Sequence, residues 1–400
     1  MLRLLQVNAG WSKEVMAELR DYCARHNVDI LLVQEPYLHK GRPLSFPLGT
    51  TYYAIGENSM ALTVILNPHI VSIGISQVST THLMVVEIRY RQQRIMLLNQ
   101  YCQFAYPISM HMRRLREVTP ILRGRTLYAA DVNSKGLEWH CNETDERGEE
   151  VIATLDGMNM TILNAPGQAP TFEGHSGHSS NVDVTAASGG LMPYIRSWKV
   201  SREVSNSDHN GILTEVPRYN LGRANWDRIQ KALTGVQWGL MGRPKSDSNS
   251  IVQKIRGICD KHIPYKKTRR TKEAVWWSDT LARQKAQLRR MRRRLKTNPL
   301  MKREYKTEMR AYKRSIRTAK TKSWESFVHE QLTRDPWSIA YKIVAGKLKT
   351  GRAQYTLLRA DGTTTEDWDE TQQYLLDKLF LEPAANTTNG SMKNTKEPSP

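Results

Sequence analysis

The chain is poor in the features that define several protein classes. Its 400 residues hold only four cysteines, Cys23, Cys102, Cys141 and Cys259, scattered and without a CxxC pair. That excludes a disulfide framework and a zinc finger of ordinary spacing, and it fits a reducing compartment. No run of eighteen apolar residues occurs, which argues against a membrane span or membrane partner. The opening MLRLLQVNAG turns polar too early for a signal peptide. Neither GxGxxG nor GxxxxGK(S/T) is present, so dinucleotide and P-loop readings lack support and no small-molecule cofactor is expected. Repeats are absent too.

What the chain does have is positive charge, unevenly placed. The net charge is +20, from 59 Lys and Arg against 39 Asp and Glu. Residues 1–217 carry 19 cations and 21 acids, a net of −2, and residues 218–400 carry 40 and 18, a net of +22. An asymmetry of this size predicts two or more structural units, one of them binding nucleic acid.

The first half alternates strand and helix patterns. LRLLQVN (2–8) reads as a strand, and Ser12 caps a helix whose apolar residues Val15, Met16, Leu19, Tyr22 and Cys23 share a face. Strands follow at 29–36, 61–67, 82–90, 94–101, 126–133, 161–164, 182–187 and 211–216, with helices near 109–122 and 147–158. Hairpin-like pairs mixed with helical connections predict a two-sheet α/β layer sandwich rather than a parallel Rossmann sheet. From Trp276 to about Trp324 the pattern is of long basic helices broken near Asn298–Pro299. Residues 283–322 carry 17 Lys or Arg and two Glu. Tyr305, Met309, Tyr312, Ile316 and Ala319 form a stripe at helical spacing, read as core packing.

Polar residues stand at or just beyond the ends of several apolar strands: Asn8, Gln34 and Glu35, Asn99 and Tyr101, Asp131 and Asn133, Asp183, and the pair Asp208–His209. Each alone reads as turn chemistry. Together they suggest a site, because strand ends present side chains rigidly into a cleft. Asp183 inside an apolar run is the hardest to explain as structural, since a buried carboxylate needs partners. The donors are carboxylates and amides, which suit Mg²⁺ or Mn²⁺ rather than zinc. In SDH (207–209) the turn, nucleophile–base and metal-corner readings all remain open, and Ser207 is given no chemical role.

The ordered set QVN (6–8), QEP (34–36), NQY (99–101), ADVN (130–133), PTF (170–172), VDVTAAS (182–188) and SDH (207–209) resembles the endonuclease/exonuclease/phosphatase superfamily. More closely it resembles the apurinic-type endonuclease domain of insect R1-like non-LTR retrotransposons. The match runs from residue 1 to about 217. VWWSDTLARQKAQLRRMRRR (275–294), DPWSIAYKIVAGK (335–347) and TQQYLLDKLF (371–380) are similar to the stretch that precedes the reverse transcriptase in such elements. The polymerase signature itself is not found, so the chain resembles an amino-terminal piece of a longer polyprotein.

The resemblance implies a four-layer, DNase I-like α/β sandwich over 1–217, a linker over 218–275, a basic and mainly helical region over 276–380, and a disordered tail over 381–400. It implies metal ligation by Glu35, Asn8 and Asp208, with Glu35 the principal ligand. Tyr101 would contact phosphate, Asp131 and Asn133 would activate water and hold the transition state, and Asp183 would orient His209. The activity implied is Mg²⁺-dependent nicking of DNA in the nucleus, leaving a 3′-hydroxyl that primes reverse transcription. Two departures stand out: Ala130 replaces a usual glycine, and Gly10 stands where a second Asn is common. The arginine run Arg289, Arg290, Arg292, Arg293 and Arg294 is expected to bind nucleic acid, including the element RNA. A catalytically inactive nucleic-acid-binding protein and a lipid phosphoesterase are the competing expectations.

Overall fold

In the computed structural model, described residues are 2–43, 46, 50–90, 93–174, 178–204, 206–216, 223–236, most of 251–263, 276–295, 298–338, 340–341, 345 and 353–379. Most of the expected linker, including the basic cluster at 266–272, and the tail at 381–400 lie outside them.

Strand β1 (Leu2–Asn8) shows how the sequence sets the layers. Side chains alternate across a strand, so Leu2 and Leu4 join one buried cluster while Leu5 and Val7 join another. Leu5 and Val7 pack under helix α1 (Lys13–His26), against Val15, Met16, Leu19 and Tyr22. The helix starts where expected, with Ser12 Oγ accepting from Val15 N–H, and ends at Asn27, whose φ of +51° is the left-handed cap that Asn tolerates. Leu2 and Leu4 face the second sheet.

Strand β2 (Ile30–Gln34) runs parallel to β1. β3 (Thr51–Tyr53) and β4 (Ala61–Ile65) extend that sheet on one side, and β13 (Ser197–Ser201) and β14 (Gly211–Val216) on the other, in the order β13-β14-β1-β2-β4-β3. The second sheet has the order β5-β6-β7-β8-β12-β9. It is built from β5 (Val71–Gly74), β6 (Leu83–Tyr90), β7 (Gln93–Tyr101), β8 (Thr126–Asp131), β9 (Met160–Ile162) and β12 (Asp183–Ser188). Its outer face carries α2 (Ile108–Arg116) and α3 (Glu146–Gly157), through Met112, Leu115, Val151 and Leu155. A two-residue hairpin, β10 (Phe172–Glu173) with β11 (Ser179–Ser180), stands apart. Three apolar clusters therefore separate four layers, helix–sheet–sheet–helix, as the resemblance implies.

Beyond residue 216, α4 (Trp226–Thr234) is followed by two long helices, α5 (Asp279–Leu295) and α6 (Lys302–Arg334). The break between them falls at Asn298–Pro299, as the sequence predicts. The stripe Tyr305, Met309, Tyr312 and Ile316 of α6 packs on Leu281, Leu288 and Met291 of α5, confirming it as core. This hairpin lies on α1: Lys285 Nζ reaches Glu18 at 2.8 Å, both almost wholly buried, and Arg317 pairs with Glu14.

The expected single basic region over 276–380 divides in two. Residues 353–379 leave the hairpin and bind the edge of the second sheet. Gly74 N–H donates to Gln354 O at 2.8 Å and Thr356 N–H to Gly74 O at 3.0 Å, so Tyr355 bridges parallel to β5. Helix α7 (Trp368–Leu379) and the turn before it set Glu366, Asp367 and Asp369 against Arg123, Arg94 and Arg89. This strap is acidic, with Asp361, Glu366, Asp367, Asp369, Glu370 and Asp377 against Arg359 and Lys378. Among the described residues no helix is long and apolar enough to cross a membrane.

Candidate active site

The inner faces of both sheets turn from apolar to polar toward one end. On β1 the residues after Leu2 and Leu4 at the same parity are Gln6 and Asn8; on β2 Ile30 and Leu32 give way to Gln34. On β7 Ile95 and Leu97 give way to Asn99 and Tyr101, and on β8 Leu127 and Ala129 give way to Asp131. Period-two alternation thus stacks these polar groups in the inter-sheet layer at the strand mouths. They satisfy one another across it. Gln6 Nε2–H donates to Ala130 O at 3.0 Å and Gln34 Nε2–H to Asn99 Oδ1 at 2.7 Å. Asn8 Nδ2–H donates to Asp131 Oδ2 at 2.8 Å.

Asp131 and Asp183 are direct partners on antiparallel strands. Both are about 1% exposed. Like charges facing across a pair of strands are destabilising unless something neutralises them. His209 does part of this: its Nδ1 lies 2.9 Å from Asp183 Oδ2, and its Nε2 lies 3.8 Å from Asp131 Oδ2. The ligating atoms of Asp131, Asp183 and His209 all fall within 4.8 Å of one another. Burial alone would lower the His209 pKa, but the Asp183 charge and hydrogen bond, aided by Asp131 and Glu35, push it up to about 9. Burial and then Asp183 raise the Asp131 carboxyl to about 7, against the pull of His209, Asn8 and the Asn133 N–H. The trio therefore combines a cationic imidazole with a carboxylate poised near neutrality.

The remaining site residues surround it. Glu35 sits just past β2 with φ +46°, and Asn133 just past β8 with φ +45°. Neither is glycine, and non-glycine residues held in the left-handed region concentrate at functional sites. Glu35 hydrogen-bonds the Tyr101 phenol, and burial with this carboxylate beside it drives that phenol far above its ordinary range, so Tyr101 stays a neutral donor. Asn133 N–H donates to Asp131 Oδ1 at 3.1 Å. Asp208, next to His209 in the chain, is half-buried, and its carbonyl accepts from Glu173 N–H at 2.7 Å.

Three contributors escape the sequence reading. Ser207 is a bracket, not a bystander: its Oγ–H donates to Asn8 O at 2.7 Å and its Oγ accepts from His209 N–H at 3.0 Å, tying the histidine loop to β1. Phe172 bridges to His209 and packs its ring edge-on, centroids 4.9 Å apart. Arg147 donates from Nε to Asn133 O at 3.0 Å and from a terminal nitrogen to Tyr106 O at 2.9 Å. Its other terminal nitrogen is buried without a partner among the described residues. In the acidic run ETDERGEE it looks like a surface helix charge; the PTF motif is the one signal that pointed to Phe172.

Of the expected nucleic-acid contacts, Arg290 and Arg294 are exposed on α5. The side chains of Arg289, Arg292 and Arg293 lie outside the described residues.

Residues 95–213 match the family described as endonuclease-reverse transcriptase. The endonuclease domain of TRAS1, a telomere-specific non-LTR retrotransposon, superposes with a TM-score of 0.50 at 28% identity, covering 54% of this chain and 97% of that one. The amino-terminal half is a retrotransposon-endonuclease-type domain. Similarity extends past this domain. A putative 115 kDa protein of the type-1 retrotransposable element R1DM of Drosophila melanogaster is 24% identical across 95% of this chain. A retrovirus-related Pol polyprotein from type-1 element R1 of Bradysia coprophila is 23% identical across 85%. The chain spans 40% and 38% of those relatives. The endonuclease-type domain therefore has a nuclease fold with an acidic and histidine cluster at its strand mouths.

Proposed function

We propose that this domain is a divalent-metal-dependent DNA endonuclease that hydrolyses a phosphodiester and leaves a 3′-hydroxyl end. The observation that carries the reading is the buried Asp131–Asp183–His209 trio, where two facing carboxylates share one imidazolium. Glu35 adds a third buried carboxylate against that single cation. A donor set of oxygens this short of positive charge suits Mg²⁺ or Mn²⁺. Glu35, Asn8 and Asp208 would hold the ion, which when bound neutralises phosphate charge and eases departure of the leaving oxygen.

The chain's own groups supply the rest. Water attacks phosphorus and gives up a proton to Asp131, whose raised pKa suits a base working near neutrality. The bond to the 3′ oxygen breaks, and that oxygen takes up a proton from solvent. His209, held cationic and oriented by Asp183, donates from Nε2 to a phosphoryl oxygen. Tyr101 and Asn133 supply further neutral donors around the same phosphate. The product is a 5′-phosphate opposite a 3′-hydroxyl able to prime synthesis by a polymerase. Supercoiled plasmid tests this: nicking in Mg²⁺, its loss in EDTA, and its loss in Asp131→Asn and His209→Ala are expected. Nicking undiminished by both substitutions would refute the assignment, and salt-sensitive binding without any nicking would leave only a nucleic-acid-binding protein.

A further inference from the structure

A second charged cavity lies away from the strand mouths, where the endonuclease-type domain meets the helical hairpin. It encloses about 940 Å³ between α1 and α6. Among the described residues four cations line it, Lys13 and Arg20 from α1 and Lys320 and Lys322 from α6, against the carboxylate of Glu330. Its wall also presents Trp324, 40% exposed, with Phe327 beside it at a centroid distance of 5.6 Å.

At Lys320 burial and repulsion outweigh the counter-charge. Burial, then repulsion from Arg20 and Lys13, lowers the Lys320 ammonium to about 8 in spite of Glu14 and Asp21. Glu14 is already taken by Arg317. Asp21 is paired with Arg25, and the Trp276 ring lies 5.1 Å from Lys320 Nζ. A solvated face does not crowd cations in this way, because exposed lysines separate at no cost. A concave site that does so suits an anion with several charges.

We propose that this cavity binds a strand of single-stranded nucleic acid, its phosphates on Lys13, Arg20, Lys320 and Lys322 and an unpaired base against Trp324 and Phe327. The combination of a cationic groove with exposed rings is the physical recipe for single-strand binding: phosphates carry the affinity, and any base offers a flat face. A duplex hides those faces inside its stack, so its bases cannot reach the rings. The site needs both halves of the chain, because α1 belongs to the sandwich and α6 to the hairpin. It is distinct from the arginine run on α5 and does not depend on cleavage.

The test uses the full chain in EDTA, so that nothing is cut and failure of the endonuclease reading leaves the result intact. Fluorescence anisotropy with labelled oligo-dT and oligo-U, and with a blunt duplex of the same length, reads the affinity. Trp324→Ala and Lys322→Glu sit at exposed positions and leave the packing alone; Lys320→Met probes the buried cation. Each is expected to weaken single-strand binding by about tenfold while the duplex changes less. The lysine changes should also reduce the salt slope by about 0.7 per lost phosphate contact. Comparable losses for DNA and RNA would mark a backbone-and-base site, and a larger loss for one would identify the physiological strand. Affinities within twofold of the parent for Trp324→Ala and Lys322→Glu, with the loss confined to Arg290→Glu/Arg294→Glu, would overturn the proposal.

Discussion

Lys285→Met should undock the helical hairpin. Lys285 Nζ and Glu18 Oε1 are 2.8 Å apart, with side chains 4% and 1% exposed. Their attraction at that distance is about 6 kcal/mol for an effective dielectric of 20, and desolvation of both ions cancels much of it. Removing only the lysine strands a buried carboxylate, a change of about 3–5 kcal/mol. Glu18 keeps two hydrogen bonds, from Asn206 N–H at 3.0 Å and Asn206 Nδ2 at 2.8 Å, which places the expected loss near the lower end, about 3 kcal/mol. Glu18→Gln/Lys285→Met removes both charges and keeps an acceptor for Asn206. It should recover about 2 kcal/mol relative to the single change. Urea unfolding followed by tryptophan fluorescence reads this directly, since Trp276 and Trp277 sit at the hairpin junction. Because Asn206 adjoins Ser207 and His209, nicking should fall in the single mutant and return in the double. A shift below about 0.5 kcal/mol for Lys285→Met, or a double mutant as unstable as the sum of its parts, would show that this pair does not hold the hairpin to the sandwich.

Three further outcomes follow from other contacts. His209 is raised to about 9 in the fold from 6.5, so its contribution, about 3 kcal/mol, is complete below pH 6.5 and disappears as pH rises through 9; Asp131, raised to about 7 from 3.8, loses stability in the same direction at lower pH. Metal-free protein should therefore unfold at lower denaturant at pH 9.5 than at pH 6, and His209→Gln should flatten the difference. Gly148→Ala should destabilise by about 1–3 kcal/mol in a thermal melt, because the added Cβ would overlap Lys135 O at the start of α3. Tyr355→Ala removes the ring packed on Tyr53 and the hydroxyl bonded to Ala54 and should release the acidic strap, speeding tryptic cleavage at Arg359 and Lys378 while plasmid nicking continues; unchanged proteolysis would mean that this side chain is dispensable and that the backbone bonds to Gly74 hold the strap.

How far the sequence could be read depended on where each signal was written. The long central strands announce themselves by alternation, and 2–8 and 211–216 match the observed bounds. β3, β5 and β13 were missed because three to five partly exposed residues at or near a sheet edge carry too little alternation to register. The polar strand ends were legible because each interrupts an apolar run on the inner face. Ser207 was not, because its work is done through a backbone carbonyl on another strand, and no local pattern encodes that. Lys285 was invisible for a related reason. Within a run of cations nothing local distinguishes the one that turns inward to a glutamate 267 positions away. The strap was hidden by averaging, since its six acids are submerged in a half whose net charge is strongly positive.

The two places where like charges crowd obey the same physics with opposite signs. At the strand mouths Asp131 faces Asp183, and one imidazolium serves both. Between α1 and α6 Lys320 faces Arg20 and Lys13, whose repulsion Glu14 and Asp21 do not offset. Apolar residues of similar size would pack both positions at less expense, as replacements of buried ions commonly do. A sequence whose local choices otherwise agree with its fold concentrates such conflicts where a ligand completes the charge. The carboxylates call for a cation and the ammonium groups for a polyanion. The first is what the proposed phosphodiester hydrolysis requires, and the second is what the proposed single-strand binding would meet.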